Sequence, residues 1–349
     1  MKKSILGLAA LALLASCNND EELNSLAPEA INFSNAFVNN ATRSIDGFTI
    51  DNNNLTSFRV WGTTQGDEQG AVLVPIFANH EVTGNVGNSD SWIYADEYTQ
   101  YWIPGNKYNF AAVVNGGEDA NYTLENGLPK TIKYNAATQH DLLYARSNSD
   151  IVGLATNNPR VAFTFNHLLS KVFFTFKNTM TSNTTGNVYY YRISNIHINN
   201  AVKTATFNVV ESTPGNVAIN AEKWAVNSNY KGQDVDYVDF GHITRENSAE
   251  AAKIGAVGAE DQATSHVARL MIPHAYRTGA PLNITFTIET LINDAVVDVQ
   301  NITKELEIGF EPGCVYNFVI SKGNPGEKIE FTVTKVTDWK NPDEPQLPL

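Results

Sequence analysis

The chain has 349 residues, 42% of them apolar and 10% aromatic, which is enough for two domains with their own cores. Its formal net charge is −13, which argues against nucleic acid as a partner and favours solubility outside the cell. Only two cysteines are present, Cys17 and Cys314. Stability is therefore expected to come from packing rather than from cross-links.

Residues 1–17 predict a lipoprotein signal peptide. Lys2 and Lys3 give a basic start, an apolar run follows over residues 5–15, and Leu14-Ala15-Ser16-Cys17 ends it. The run is too short to span a membrane and has the three-part build of a secretory signal. A cysteine at the cleavage point predicts acylation of Cys17, which would hold the chain to a bilayer. Residues 18–30, with Asn18-Asn19-Asp20-Glu21-Glu22, are interpreted as an acidic tether.

A strand-like segment and a basic residue come next. Ile31, Phe33 and Phe37 alternate along residues 31–38, so we predict that they share a buried strand face. Ala41-Thr42-Arg43-Ser44 then forms a polar, turn-like stretch with one arginine. Such a stretch suits a trypsin-like protease, so Arg43 and Ser44 are the candidate processing site.

The rest of the chain is dominated by alternation with a period of two, in runs separated by Gly, Pro and Asn clusters. Such runs predict antiparallel strands with one buried face, and no segment keeps a helical period over three turns. The best helical candidate, residues 135–145, is a short helix at most. We predict an all-β fold. The alternating apolar sets are Tyr108, Phe110, Ala112 and Val114; Val172, Phe174 and Phe176; Ile284, Phe286 and Ile288; Tyr316, Phe318 and Ile320; and Ile329, Phe331 and Val333.

Polar, linker-like sequence around residues 148–159 predicts a domain boundary. The expected domains are residues 31–155 and residues 160–349. Residues 211–265 have little periodicity and are interpreted as a long surface excursion of the second domain, with one or two short strands near residues 235–240.

Signatures of catalysis and of cofactor binding are not found. There is no Gly-x-Ser-x-Gly elbow, phosphate-binding loop or dinucleotide fingerprint, and His80-Glu81 lacks a second histidine at zinc-site spacing. The acidic set Asp234, Asp236 and Asp239 does not match a calcium loop. Cys314 lies beside a Pro-Gly turn and is interpreted as a small buried residue. We expect no enzyme, no cofactor and no metal site.

Several segments, in order behind the Cys17 signal, resemble the fimbrillin family of Bacteroides-type bacteria, the subunits of type V pili. They are Ile31-Asn32-Phe33-Ser34, Ala41-Thr42-Arg43-Ser44, Gly105-Asn106-Lys107-Tyr108-Asn109-Phe110, Asp141-Leu142-Leu143-Tyr144-Ala145, Asn166-His167-Leu168-Leu169-Ser170-Lys171-Val172, Glu311-Pro312-Gly313-Cys314-Val315-Tyr316, and Ile329-Glu330-Phe331 through Asp338-Trp339. The resemblance implies two transthyretin-like β-sandwiches in tandem, export as a lipoprotein to the outer face of the outer membrane, and cleavage after a basic residue near Arg43. His167 is then a framework residue, not a catalyst.

The resemblance also implies assembly with other fimbrial subunits by strand exchange. In this interpretation the N-terminal strand (Ile31, Phe33 and Phe37) is displaced after cleavage, and the last strand (Ile329, Phe331 and Val333) is the candidate donor to a neighbour. The alternation slips at Lys335-Val336, which predicts either a bulge there or a strand that stays in its own sheet. The expected outcome is a fimbrium that supports adhesion to a host or bacterial surface ligand.

A second hypothesis is a surface-exposed lipoprotein of the outer membrane that binds glycan. Aromatic residues crowd one stretch between two turns: Trp92, Tyr94, Tyr98, Tyr101 and Trp102. Exposed rings there would serve as a stacking platform for sugars. The alternative is that these rings belong to the core and to a domain interface.

Overall fold

The computed structural model of the protein describes residues 27–39, 50–51, 54–85, 88, 91–116, 120–147, 150–180, 189–213, 215–226, 234–244, 250–255, 262–264, 268–276, 279 and 281–336. Within these ranges the regular structure is 21 strands and three short 3-10 turns. The predicted all-β fold is therefore confirmed. The helical candidate at residues 135–145 is reduced to the 3-10 turn Ala136–Thr138.

The strands up to residue 178 are β1 (Phe33–Val38), β2 (Ser57–Gln65), β3 (Val74–Thr83), β4 (Lys107–Val114), β5 (Ala120–Glu125), β6 (Leu128–Asn135), β7 (Leu143–Arg146), β8 (Ile151–Val152), β9 (Val161–His167) and β10 (Ser170–Asn178). The later strands are β11 (Tyr189–Asn208), β12 (Glu211–Thr213), β13 (Asn216–Val217), β14 (Asp234–Gly241), β15 (Ile254–Gly255), β16 (Gln262–Thr264), β17 (Arg269–Met271), β18 (Leu282–Ile292), β19 (Ala295–Leu306), β20 (Val315–Lys322) and β21 (Ile329–Val336).

Three sheets carry the fold. The first has the order β1-β9-β7-β4-β2-β3, with β8 beside β4. The second has the order β19-β18-β11-β6-β5, with β14 and β15 also on β11, and the third has the order β16-β10-β20-β21, with β17 on β10. Most neighbours are antiparallel, as the alternation predicts, but β1 with β9 and β10 with β20 are parallel. Parallel neighbours need long crossover connections, so local sequence patterns do not reveal them.

The predicted domain limits need two corrections. Strand β9, predicted to begin the second domain, is hydrogen-bonded within the first sheet between β1 and β7. The hairpin β5-β6, predicted in the first domain, extends the second sheet, because β6 pairs with the end of the 20-residue strand β11. Phe207 lies opposite Ile132 in that pairing. The two halves of the chain are thus joined by a shared sheet and not only by a linker.

Two hydrophobic cores result. The smaller core lies on one face of the first sheet, and the larger core lies mainly between the second and third sheets. The other face of the first sheet also packs, as shown by Trp61 on β2, whose ring centroid is 4.7 Å from that of Tyr122 on β5. This explains why β4 buries Ala111 and Val113 in addition to the predicted set on its other face. The single-faced alternation predicted for residues 284–288 is confirmed on β18.

Residues 211–265 are not a simple surface excursion. Strands β14 and β15 pair with β11, and β16 pairs with β10. Trp224, Phe240 and Ile254 are buried in the larger core. Polar and glycine-rich sequence between the strands hides this contribution, because the buried residues are too far apart to give a period.

Strand β1 lies at the edge of the first sheet and fills the smaller core. Ile31, Phe33 and Val38 are completely buried, whereas Phe37 is 48% exposed. The pairing with β9 shifts between Ser34 and Phe37, where β1 contains one residue more than its partner. An extra residue reverses the inside-outside alternation, so Ala36 and Val38 point inward and Phe37 points outward. The prediction that Phe37 shares the buried face with Ile31 and Phe33 is therefore wrong.

Phe33 occupies the centre of the smaller core. Its ring centroid lies within 5.5–6.2 Å of the centroids of five other rings, those of Phe58, Phe77, Tyr94, Phe110 and Phe163. These rings come from β2, β3, β4, β9 and the connection before β4. Most of the contacts are edge-on, the arrangement that favours aromatic pairs.

We predict that Phe33→Ala lowers the free energy of unfolding by about 3–5 kcal/mol, since it removes a buried ring and leaves a cavity. Phe37→Ala, four residues away on the same strand, is the matched control and should change it by about 0.5 kcal/mol or less. Urea titration followed by tryptophan fluorescence measures both, because Trp92 and Trp102 lie in this core. Equal losses in the two variants would contradict the assignment of Phe33 as the central residue.

Candidate functional site

The candidate site is strand β1 together with the groove that holds it. One side of β1 pairs with β9. On the other side, the segment just before β1 pairs with residues 100–102: Ile31 N donates to Gln100 O over 2.8 Å, and Trp102 N donates to Glu29 O over 2.9 Å. Residues 29–38 therefore contact two backbone edges: residues 29–31 pair with residues 100–102, and β1 pairs with β9. Removal of the whole segment would leave both edges unpaired.

Polar contacts fix the start of this segment. Glu29 Oε2 accepts hydrogen bonds from the backbone N and the side-chain Nδ2 of Asn158, each over 2.9 Å. These bonds stabilise the charged carboxylate, so the pKa of Glu29 lies below its ordinary value. The hydroxyl of Tyr94 donates to Ile31 O over 2.8 Å, and burial raises the pKa of Tyr94. Tyr94 therefore remains a neutral donor at physiological pH.

The other end of β1 is held until Asn39. Its backbone N donates to Phe165 O over 2.8 Å, and its Nδ2 donates to Asn166 Oδ1 over 3.1 Å. The candidate processing residues Arg43 and Ser44 lie outside the described residues, and so does Cys17. Where the described chain resumes, Ile50 N donates to Asp141 Oδ2 over 2.9 Å. The sequence that contains Arg43 thus connects two anchored points.

A buried histidine–aspartate pair forms the second of these anchors. His167 Nδ1, at the end of β9, lies 2.9 Å from Asp141 Oδ2, and both side chains are almost completely buried. The same carboxylate oxygen accepts the hydrogen bond from Ile50. We refer to Asp141, His167 and Ile50 as the clamp. Such burial gives no access to a substrate, so the arrangement is that of a framework element, as expected for His167.

The sequence does not reveal the clamp. Asp141 and His167 lie 26 positions apart, so no local pattern shows their contact. The signal available was the presence of both residues in two short polar stretches, each directly before a strongly apolar run. These two stretches do not show that Asp141 and His167 are in contact, because their contact depends on the order of the strands in the sheet.

The candidate donor strand β21 is paired along its whole length with β20, from Val315 opposite Val336 to Lys322 opposite Ile329, without a register shift. The bulge considered at Lys335-Val336 does not occur; the strand lies in its own sheet. It is an edge strand, and its apolar face is only lightly covered. Ile329 and Phe331 are half-buried, and Val333 is 39% exposed. The ring centroid of Phe331 lies 5.9 Å from that of Phe286 on β18.

The aromatic stretch considered as a glycan platform is mostly core. Trp92 is 2% exposed and Trp102 is 4% exposed. Trp92 packs against Phe58 and Trp102 against Tyr108, with centroid distances of 5.2 and 4.6 Å. Neither tryptophan can stack on a sugar in this conformation, so the alternative of core rings is the correct one for both. Tyr98 and Tyr101 are exposed at the surface.

The described ranges contain no group of three or more His, Cys, Asp or Glu side chains placed to hold a metal ion. Asp236 is paired with Lys203, and Asp239 lies 3.3 Å from His197. Cys314 is buried, as predicted. Among the described residues, no helix is long and apolar enough to cross a bilayer.

Comparison with one solved structure of a fimbrial protein agrees with this architecture. A search of curated proteins gives no match. Among solved structures, a fimbrial protein from Bacteroides vulgatus aligns with a TM-score of 0.58 and 14% identity, over 89% of this chain and 99% of that one. A fimbrial assembly protein from Parabacteroides distasonis aligns with a TM-score of 0.42 and 11% identity, over 88% of this chain and 100% of that one. The tip fimbrial protein Mfa3 from Porphyromonas gingivalis, with C-terminal truncation, gives a TM-score of 0.34 and 12% identity, over 81% and 94%.

A comparison with family models also matches most of the chain. The model of the fimbrillin-like family matches residues 42–339, which include every described strand except β1. This range covers most of the chain and includes the framework and donor-strand segments that carry the resemblance. The protein belongs to the fimbrillin-like family.

Proposed function

We propose that this protein is a structural subunit of a cell-surface fimbrium, exported as a lipoprotein through Cys17 and assembled head to tail by strand exchange after cleavage at Arg43. Its output is adhesion. One observation carries the proposal: the segment before Arg43 supplies Phe33, the central ring of the smaller core, and yet lies at a sheet edge. A single cut in the connection to Ile50 would leave only non-covalent contacts to hold it.

The energetics explain why an emptied groove would be refilled. Burial of an Ile, Phe or Val side chain contributes roughly 1.5–3 kcal/mol, so loss of Ile31, Phe33 and Val38 costs about 5–9 kcal/mol before backbone pairing is counted. The edges of β9 and of residues 100–102 would also be exposed. An apolar groove between unpaired edges is a strong site for an added strand.

Strand β21 suits the role of donor because its detachment requires less free energy than the detachment of β1. Its three apolar residues are half-buried or exposed, whereas Ile31, Phe33 and Val38 are completely buried. In a neighbour's groove, Ile329, Phe331 and Val333 would bury more apolar surface than they bury beside β20 in their own subunit. Donation from the end of one subunit to the beginning of the next does not close on itself, so it produces a filament.

The clamp determines which part of the chain would stay attached to the sheet after cleavage at Arg43. Ile50 is held by Asp141, and Asp51 and Asn54 exchange backbone–side-chain hydrogen bonds over 2.7 and 3.1 Å. Leu55 is buried just after them. The chain downstream of Arg43 therefore remains attached to the sheet when the upstream strand leaves. The proposed partners are other fimbrial subunits, a trypsin-like protease, the outer membrane through the Cys17 lipid, and a host or bacterial surface ligand.

Limited trypsin treatment of the purified protein should trim it after Arg43 and produce SDS-resistant ladders, because the emptied groove accepts a neighbour's strand. Terminal sequencing and gel electrophoresis measure the two steps separately. Arg43→Gln should remain untrimmed and monomeric. Phe331→Asp should be trimmed but form no ladder, because a carboxylate cannot enter the groove that Phe33 leaves. Trimmed wild-type protein that stays monomeric at high concentration would contradict strand exchange.

Asp141→Asn should lower the free energy of unfolding by about 1–3 kcal/mol, because it disturbs the hydrogen bonds that this buried carboxylate accepts from Ile50 N and His167 Nδ1. It should also speed hydrogen exchange at the Ile50 amide. Asp67→Asn, at an exposed aspartate whose side chain is 77% accessible, is the control and should change stability by about 0.5 kcal/mol or less. A double-mutant cycle with His167→Gln should give a coupling energy of about 0.5–3 kcal/mol. Additive losses would show that the clamp is not a unit.

Cys17→Ala should move the protein from the membrane fraction to the soluble fraction, since acylation of Cys17 is the proposed anchor. Cell fractionation followed by immunoblotting measures this. Cys314→Ala, at the buried second cysteine, is the matched control and should leave the protein with the membrane. Retention of the Cys17→Ala protein in the membrane fraction would require another anchor.

A further inference from the structure

We infer that strand β19 is an interaction surface for a second copy of this chain, formed by antiparallel pairing of the two β19 edges about a two-fold axis at Asn301. This inference does not depend on cleavage at Arg43 or on donation of β21. Strand β19 lies at one end of the second sheet, and the hairpin β5-β6, which packs against the first domain, lies at the other end.

Strand β19 is unusually open. It has 12 residues and ends the second sheet, and only Leu306 is buried while Ile302 is half-buried. Three valines stand exposed on it: Val296 at 45%, Val297 at 53% and Val299 at 54%. In the part of the chain that the structure describes, no strand pairs with its outer edge. A long edge of this kind presents a row of backbone donors and acceptors to any matching strand.

Two other sheet edges, β3 and β5, carry features that discourage such pairing. Strand β3 contains Pro75, which lacks an N–H donor, and its pairing with β2 shifts register twice. Strand β5 has only six residues and a register shift between Thr123 and Leu124. Strand β19 also has one register shift, at Val297, but it contains no proline, and its pairing with β18 is regular from Asp298 to Leu306.

The charges on the regular part of β19 match those of a second copy. When two copies pair antiparallel about Asn301, Asp298 of each lies opposite Lys304 of the other. Val299 then lies opposite Thr303, and Gln300 lies opposite Ile302. Opposite charges and β-branched pairs at directly opposed positions stabilise antiparallel strands. A shift of one residue would instead place Asp298 opposite Glu305, which is unfavourable, so the pattern selects one register.

The side chains at these positions are available for pairing. Asp298 and Lys304 are exposed, and Asp298 Oδ2 accepts a hydrogen bond from Nε2 of Gln300, two residues away on the same strand. Asn301 is exposed and accepts a hydrogen bond from Thr287 over 2.9 Å. The occupant is therefore identified by charge complementarity as a second β19. The resulting interface is isologous and closes as a dimer.

Site-directed disulfide formation tests the register on cells that display the full chain. Asn301→Cys places two thiols directly opposite each other across the axis, at a distance compatible with a disulfide, so mild oxidation should give a covalent dimer on a non-reducing gel. Asp298→Cys is the matched control, because it lies on the same exposed strand but six positions from its own copy. It should give no dimer, and neither should the wild-type chain.

A charge exchange provides a second readout in the Asn301→Cys background. Asp298→Lys places like charges together at both symmetric positions and should reduce the cross-linked dimer about fivefold or more. Adding Lys304→Asp restores opposite charges and should restore the dimer. Sedimentation of the detergent-extracted chain without the new cysteine should show the same order among the charge variants.

Several results would overturn the inference. They are the absence of a dimer with Asn301→Cys when the chain is present at the surface, equal dimer formation with Asp298→Cys, and failure of the charge exchange to restore pairing. A cross-linked product whose partner is a different protein would identify another occupant and would also reject the self-pairing register.

Discussion

The packing of the Phe33 ring at the centre of the smaller core is the interaction on which the first domain depends. The ring contacts aromatic side chains from four strands and one connection, so the smaller core is organised around a residue that enters from the sheet edge. This central ring belongs to the edge strand β1, which precedes Arg43. The stability of the first domain is therefore tied to a segment that one cut can separate from it.

The first and the last described strands differ in how deeply their apolar side chains are buried, and this asymmetry gives the proposed assembly its direction. Strand β1 buries its apolar side chains completely, while β21 buries its own only in part. A strand that is deeply buried leaves a groove with a large free-energy cost when it departs. A strand that is shallowly buried loses little when it moves. The clamp of Asp141, His167 and Ile50 keeps the groove itself in place, because it fixes the chain immediately downstream of the sequence that contains Arg43.

The sheets also separate two kinds of contact. The end of the second sheet at β5-β6 is used inside the molecule, where β6 pairs with β11 and β5 packs on Trp61. The other end, at β19, is exposed and carries a self-complementary pattern of charge. Strand exchange would extend a polymer along one direction, and β19 pairing would join chains across it. The two contacts use different strands in different sheets.

The sequence by itself determined the local features of this protein: its all-β class, the alternating buried sets on β18 and β20, the burial of Cys314, and the resemblance that the family match confirmed. These depend on residue type and on a period of two, which are readable over a few positions. Only the tertiary structure decided the outward position of Phe37, the burial of Trp92 and Trp102, the pairing of Asp141 with His167, and the membership of β9 and β5-β6 in their sheets. A one-residue bulge reverses the facing of a strand without a mark in the local pattern, and contacts between distant residues depend on sheet order, which no short window of sequence contains.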